Sequence, residues 1–205
     1  MRRSAGPKQR VPARPTLGQP LITFWETREP GFSRVRASGA DLTRDRNDPS
    51  ITRLTFWADQ GPEVTVTGKD ESFEAQTYLT DLEIMLTRGG VRKVAEELDL
   101  LLDAYVPSAV KSELAELDLT KEAAAVNLTG VIEYAKGFRR IYSAGCTSKP
   151  SKKEVRIAFW SRKVRVEADN EVKVTFFVEA EAAMLWRSVK VLADRVHHYL
   201  QAESQ

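Results

Sequence analysis

The sequence predicts an α+β fold in which one unit, an antiparallel sheet followed by a helix, is used twice, with a helical insert between the halves. Three observations carry that expectation. ITRLTFWA (51–58) and EVRIAFW (154–160) share a Phe-Trp pair, and VTVTG (64–68) answers VRVEA (164–168). YLTDLEIMLTR (78–88) lies over FVEAEAAMLWR (177–187) without a gap, which sets Met85 over Met184. Further back, GFSRVRASG (31–39) matches GFRRIYSAG (137–145). Strings repeated in the same order mark a copied supersecondary unit.

A chain of 205 residues is long enough for two half-domains to share one core. Its 42% hydrophobic and 29% charged residues place it with soluble globular proteins rather than disordered ones. It holds no apolar run long enough to span a membrane as a helix. A lone cysteine, Cys146, excludes an internal disulfide framework and suits a reducing intracellular compartment such as cytoplasm, nucleoid or organelle matrix. The net charge of +2 conceals an uneven distribution. Residues 1–20 carry Arg2, Arg3, Lys8, Arg10 and Arg14 and no acid, residues 147–166 are basic, and residues 91–122 are acidic.

In chain order, residues 1–20 hold four prolines and no apolar periodicity, the pattern of a disordered basic arm. Residues 21–200 form one domain of two pseudo-repeats, 21–90 and 126–200, joined by a helical insert at 91–125. Leu21–Thr27 and Phe32–Ser38 read as a hairpin across Pro30-Gly31. Strands follow at 51–58, 63–68 and 72–79. Thr80-Asp81-Leu82-Glu83 has the form of a capping box, so a helix is expected from Thr80 until Gly89-Gly90 breaks it. Val91–Tyr105 and Ser108–Ala125 then read as helices of the insert. The second copy brings strands near 127–135, 138–144, 154–160, 163–169 and 171–178. Its final helix, Glu179–Leu200, has an apolar stripe at Leu185, Val189, Leu192, Val196 and Tyr199.

Side chains alternate across a strand, so the two faces can be separated by position. In 51–58, Leu54, Phe56 and Ala58 fall on the inner face, and Arg53, Thr55 and Trp57 on the outer. In 154–162 the inner set is Val155, Ile157 and Phe159, and the outer set is Arg156, Ala158, Trp160 and Arg162. Arg34 and Arg36 share a face with Phe32, as Arg140 and Tyr142 do with Phe138. Lys163 and Arg165 extend the basic surface. Cations beside flat aromatic rings are what an unstacked nucleic-acid strand needs, with about 1–3 kcal/mol per stacked base. The candidate binding residues are therefore Arg34, Arg36, Arg53, Trp57, Arg140, Tyr142, Arg156, Trp160, Arg162, Lys163 and Arg165. The same pattern also fits aromatic rings that pack beneath helices or at a protein interface.

No nucleophile elbow, phosphate loop, zinc-protease motif or dinucleotide fingerprint occurs in the chain. His197 and His198 are adjacent and point about 100° apart on a helix, so they cannot chelate one metal together. A non-catalytic protein without cofactor, metal or small-molecule substrate is expected.

The layout of two strand-rich units each closed by a helix, the last introduced by VKVTFFVEAEAAML, resembles the Whirly proteins and the related mitochondrial guide-RNA-binding proteins. That resemblance covers roughly residues 21–90 and 126–200. It implies two sheets, homo-oligomers packed through their helices, and single-stranded nucleic acid lying along the sheets. The family's lysine-glycine-lysine motif is absent, its region here reading LITFWETREPGFSRVR, so no individual binding residue is carried over. The expectation is a protein that binds single-stranded DNA or RNA with little sequence preference, for protection, packaging, recombination or processing. The alternative is a structural subunit of a capsid or ribonucleoprotein with a basic nucleic-acid-binding arm.

Overall fold

Among the described residues of a computed structural model, eight strands, the long ones rich in β-branched and aromatic residues, form two four-stranded sheets. The structure describes residues 32–67, 72–119, 131–166 and 172–203, so the basic arm and the segment expected as a strand at 21–27 lie outside it. In order, the elements are β1 (Ser33–Arg36), β2 (Gly39–Arg44), β3 (Ile51–Thr67), β4 (Ser72–Thr87), α1 (Arg88–Ala104) and α2 (Ser108–Ala115). After these come β5 (Val131–Ser143), β6 (Gly145–Pro150), β7 (Glu154–Val166), β8 (Val172–Leu185) and α3 (Trp186–Ala202). One sheet has the order β1-β8-β7-β6 and the other β2-β3-β4-β5.

This is an α+β fold made of a repeated sheet-plus-helix unit, but the copies exchange their first strands. β1 pairs in parallel with β8 of the second copy, and β5 pairs in parallel with β4 of the first. All other pairings are antiparallel. Only Ala37-Ser38 separate β1 from β2, and only Ala144 separates β5 from β6. At both corners the chain thus leaves one sheet and enters the other, so the edge strands β1 and β2, and likewise β5 and β6, are joined end to end.

The corners are built alike. The amides of Ser38 and Ala144 donate to the carbonyls of Trp57 and Trp160, at 2.8 and 2.9 Å. Next in sequence, Gly39 and Gly145 pair with those same tryptophans. A Cβ at either glycine would sit 2.5 or 2.8 Å from the indole ring, so only glycine lets the strand pass over it.

Both sheets turn one face inward onto a shared core. Phe56 and Phe159, equivalent by repeat, meet there edge-on with centroids 5.5 Å apart. Leu54, Leu82, Ile84, Val155, Ile157, Ala180 and Ala182 complete the layer. The helices cover it: α1 lies on β6 and α3, and α3 lies on α1 and β2. Helix α1 buries Val91, Val94, Leu98 and Leu101, and α3 buries Trp186, Val189, Leu192 and Val196. Across the pseudo-twofold axis His197 Nε2 meets Asp99 Oδ1, its own repeat equivalent, at 2.8 Å.

Several local expectations are corrected. Thr80–Glu83 lies in β4, because the ladders to β3 and β5 already satisfy the backbone groups that a capping box would serve. The helix starts one turn beyond Met85 instead, where Thr87 Oγ1 accepts the Gly90 amide at 3.2 Å. Gly89-Gly90 therefore opens α1 and does not break it, and Val91–Ala104 belongs to the helix of the first copy. Glu179 likewise remains in β8, and α3 starts at Trp186 with Leu185 exposed at its N-cap. The strands expected at 51–58 and 63–68 are one bulged strand, β3.

The repeat register also shifts by one residue between β4 and β8. Phe56 pairs with Leu82 and Phe159 with Ala180, while Arg53 pairs with Met85 and Arg156 with Ala183. Phe56 and Phe159 are equivalent, as the sequence indicates. Met85, however, corresponds to Ala183, and Met184 corresponds to Leu86. A slip of one residue exchanges the faces of a strand, so it decides which side chains answer each other across the repeat.

Candidate functional site

The corrected register reveals a pair of equivalent buried carboxylates, Glu83 on β4 and Glu181 on β8, each with its side chain 3% exposed on the outward side of its sheet. Arg34 on β1 and Arg156 on β7 reach Glu181 Oε1 at 2.9 and 3.7 Å. In the other sheet Arg140 on β5 bonds Glu83 through Nε, and Arg53 on β3 approaches it at 3.7 Å. Each sheet therefore carries an Arg–Glu–Arg cluster across three strands. Two guanidiniums around Glu181 leave a local charge of +1, whereas around Glu83 the second carboxylate, Asp45, balances the count. Burial works against the charge on Arg140, and the bond and field of Glu83 outweigh it, so that guanidinium is held above its usual range. Arg53 also lies 3.4 Å from Asp45. The amides of Asp48 and Asn47, followed by Arg53, keep the Asp45 carboxyl below the ordinary range.

Aromatic rings flank these clusters. Arg34 lies 5.9 Å from the ring centre of Phe32, and its equivalent Arg140 lies 5.8 Å from that of Phe138. On β5 the row is longer. Opposite Asp81 the chain inserts an extra stretch between Tyr134 and Arg139, turned at Gly137 with φ at +101°. This bulge brings the Tyr134 ring onto Phe138 at 4.3 Å. Tyr134, Phe138, Arg140 and Tyr142 thus form a ladder of rings and charge, with the two tyrosines 52% and 65% exposed. Sequence reading missed Tyr134, although it shares the alternation of Phe138, Arg140 and Tyr142.

Arg34, Arg36, Arg53, Arg140, Arg156 and Tyr142 reach the surface at least in part, as expected. Arg36 lies over Glu154 at 3.5 Å. The two tryptophans, each at an equivalent bulge and beneath an equivalent corner glycine, differ in exposure. A bulge at Phe56/Trp57 disrupts the alternation, and Trp57 is only 6% exposed, packed edge-on against Tyr78 at 5.1 Å and under Gly39. That placement corrects its expected role as an open stacking ring. Trp160 is half-buried, with Lys93 Nζ of α1 5.3 Å from its ring centre. Arg162, Lys163 and Arg165 lie on β7, and their side chains fall outside the described residues.

Where the second corner meets the start of α1, an open groove of about 660 Å³ runs between Met85, Thr87, Gly89, Lys93, Tyr142 and Trp160. It continues the outward face of the β2–β5 sheet beyond the Glu83 cluster, since Tyr142 pairs with Met85 one step along from Arg140 and Glu83. Among the described residues no group of three His, Cys, Asp or Glu side chains could hold a metal ion, and no helix is long and apolar enough to cross a membrane. Cys146 is buried beneath α1, and burial, with the nearby Glu97 charge, pushes its thiol well above the usual range. In comparisons with known proteins, no family model, no curated protein and no solved structure matches this chain.

Proposed function

We propose that the protein binds single-stranded DNA or RNA along the outward face of the β2–β5 sheet, without catalysis and with little sequence preference. The observation that carries this reading is the ladder on β5: Tyr134 on Phe138 at 4.3 Å, Arg140 over Phe138 at 5.8 Å, and Tyr142 beyond it, 65% exposed. Unstacked bases take any flat π-face, and the neighbouring cations take the phosphates. The exposed Lys136 and Arg140 supply charge beside the rings. The resemblance to the Whirly proteins supports the same reading, and with it a homo-oligomer.

Titration with a 30-nucleotide oligonucleotide at several salt concentrations tests it. Tyr142→Ala is expected to weaken binding by about 1–3 kcal/mol at every salt concentration, because stacking is not electrostatic. Lys136→Ala is expected to flatten the dependence of log K on log salt by about 0.7, one phosphate contact on a single strand. An oligonucleotide that does not bind, or binds the Tyr142→Ala protein as tightly as wild type, would overturn the reading. The β5 ladder would then belong to a protein interface.

A further inference from the structure

The repeat supplies an internal comparison for the groove beside α1. At the other corner, Gly89 and Gly90 become Arg187 and Ser188, Lys93 becomes Val191, Tyr142 becomes Arg36, and Ile51 becomes Glu154. There the space is bridged. Ser188 Oγ donates to the Ser38 carbonyl at 2.7 Å, Arg36 reaches Glu154 at 3.5 Å, and the tryptophan, Trp57, is buried. On the first side two glycines take away the side chains at the helix start, Ala144 stands where Ser38 stands, and the corner is left open. Trp160, buried in its counterpart, becomes part of the wall.

The lining chemistry of the open corner is specific. Among the described residues Lys93 is the one charged side chain on the groove, and no carboxylate lines it. The Lys93 stem lies against Gly145, and its ammonium sits over the Trp160 ring. Exposed and flat, Tyr142 forms the opposite side. The volume falls within the roughly 300–1,000 Å³ of ligand clefts. The Gly90 amide already binds Thr87, so the anion site rests on Lys93.

We infer that this groove receives one nucleotide unit, its base against Tyr142 and its phosphate on the Lys93 ammonium. The inference rests on the proposed nucleic-acid function for its source, since the same chemistry would also arrive as a free nucleotide. It further implies one such site per chain and not two, because the repeat equivalent carries a carboxylate and is bridged.

Gly89→Leu is the discriminating variant. A Cβ there meets only Thr87 Oγ1 at 3.9 Å, so a side chain starts without a clash at a position that lines the groove, and replacing glycine favours the helix. Adenosine 5′-monophosphate, adenosine, inorganic phosphate and a 30-nucleotide strand are titrated by calorimetry and by tryptophan emission, with Trp160→Phe isolating the share of Trp160 among the four tryptophans. The wild-type protein is expected to bind one adenosine 5′-monophosphate per chain, more tightly than adenosine or phosphate. Gly89→Leu and Lys93→Ala should each weaken it by roughly tenfold or more, at the scale of one stacking or charged contact. Lys93→Arg should retain it, and the strand should weaken in parallel.

Should the strand bind wild type and Gly89→Leu alike, with no mononucleotide bound, the groove assignment is overturned while the β5 reading stands. Should Gly89→Leu block the mononucleotide in a protein that binds no strand, the groove holds a free nucleotide and the strand reading falls. Two equivalents bound per chain would overturn the one-sided assignment.

Discussion

The Glu83 cluster offers the sharpest perturbation, because one carboxylate links stability to surface charge. In Glu83→Gln the volume and one acceptor are kept, so no cavity opens, and the negative charge between Arg53 and Arg140 is lost. Removing one partner of a buried ion pair costs about 3–5 kcal/mol when the charge left behind stays dry. Here the guanidinium side chains are 20% and 45% exposed and can turn to water, which lowers the expected loss to about 2–3 kcal/mol. For a chain of this size that is a fall in Tm of roughly 5–10 °C. Urea unfolding measures it directly, with the slope unchanged if the folded state is intact. Glu181→Gln, its equivalent, should cost about as much. On the proposed function Arg140, freed of its carboxylate while Arg53 keeps Asp45 at 3.4 Å, also gains a phosphate contact, steepening the salt dependence of oligonucleotide binding by about 0.7. A stability loss below about 1 kcal/mol would refute the clamping role of the carboxylate. A loss of stability with an unchanged salt slope would refute the placement of the strand over it.

Other consequences follow from the core. Phe56 and Phe159 meet edge-on at 5.5 Å, so Phe159→Ala should cost about 3–5 kcal/mol. A double-mutant cycle with Phe56→Leu and Phe159→Leu should show coupling of about 0.5–1.5 kcal/mol beyond the area lost, and additive costs would mean the rings do not touch. The raised Cys146 thiol stays protonated above the pH at which a free thiol ionises. Labelling by a disulfide reagent at pH 8 should therefore be slow in the native protein and rapid in denaturant, whereas equal rates would contradict its burial.

The amino-acid sequence determined the units of this fold, because those depend on local pattern. Alternation within 51–58 and 154–160 marked the core layer and put Phe56 over Phe159, which the structure brings together. The spacing of Val189, Leu192 and Val196 marked the buried face of α3. Arg140 and Tyr142 were recognised as an exposed pair on one face, and half of the β5 ladder was legible in them. What tertiary structure decided was everything set by hydrogen bonds between distant strands. A capping-box pattern at Thr80–Glu83 is locally sound, yet ladders on both sides of β4 hold those residues extended. The matched Met, Leu and Arg letters of the two repeats favoured an ungapped alignment, whereas pairing with β3 and β7 fixed a register one residue away. That single residue hid the equivalence of Glu83 and Glu181, since a period of two puts neighbours on opposite faces. The exchange of β1 and β5 between the copies is equally non-local. So is the burial of Trp57, which depends on Gly39 passing over the ring. The open groove arose the same way: Gly89-Gly90 reads as a helix breaker in isolation, and only its position beside Trp160, Lys93 and Tyr142 gives the missing side chains a consequence.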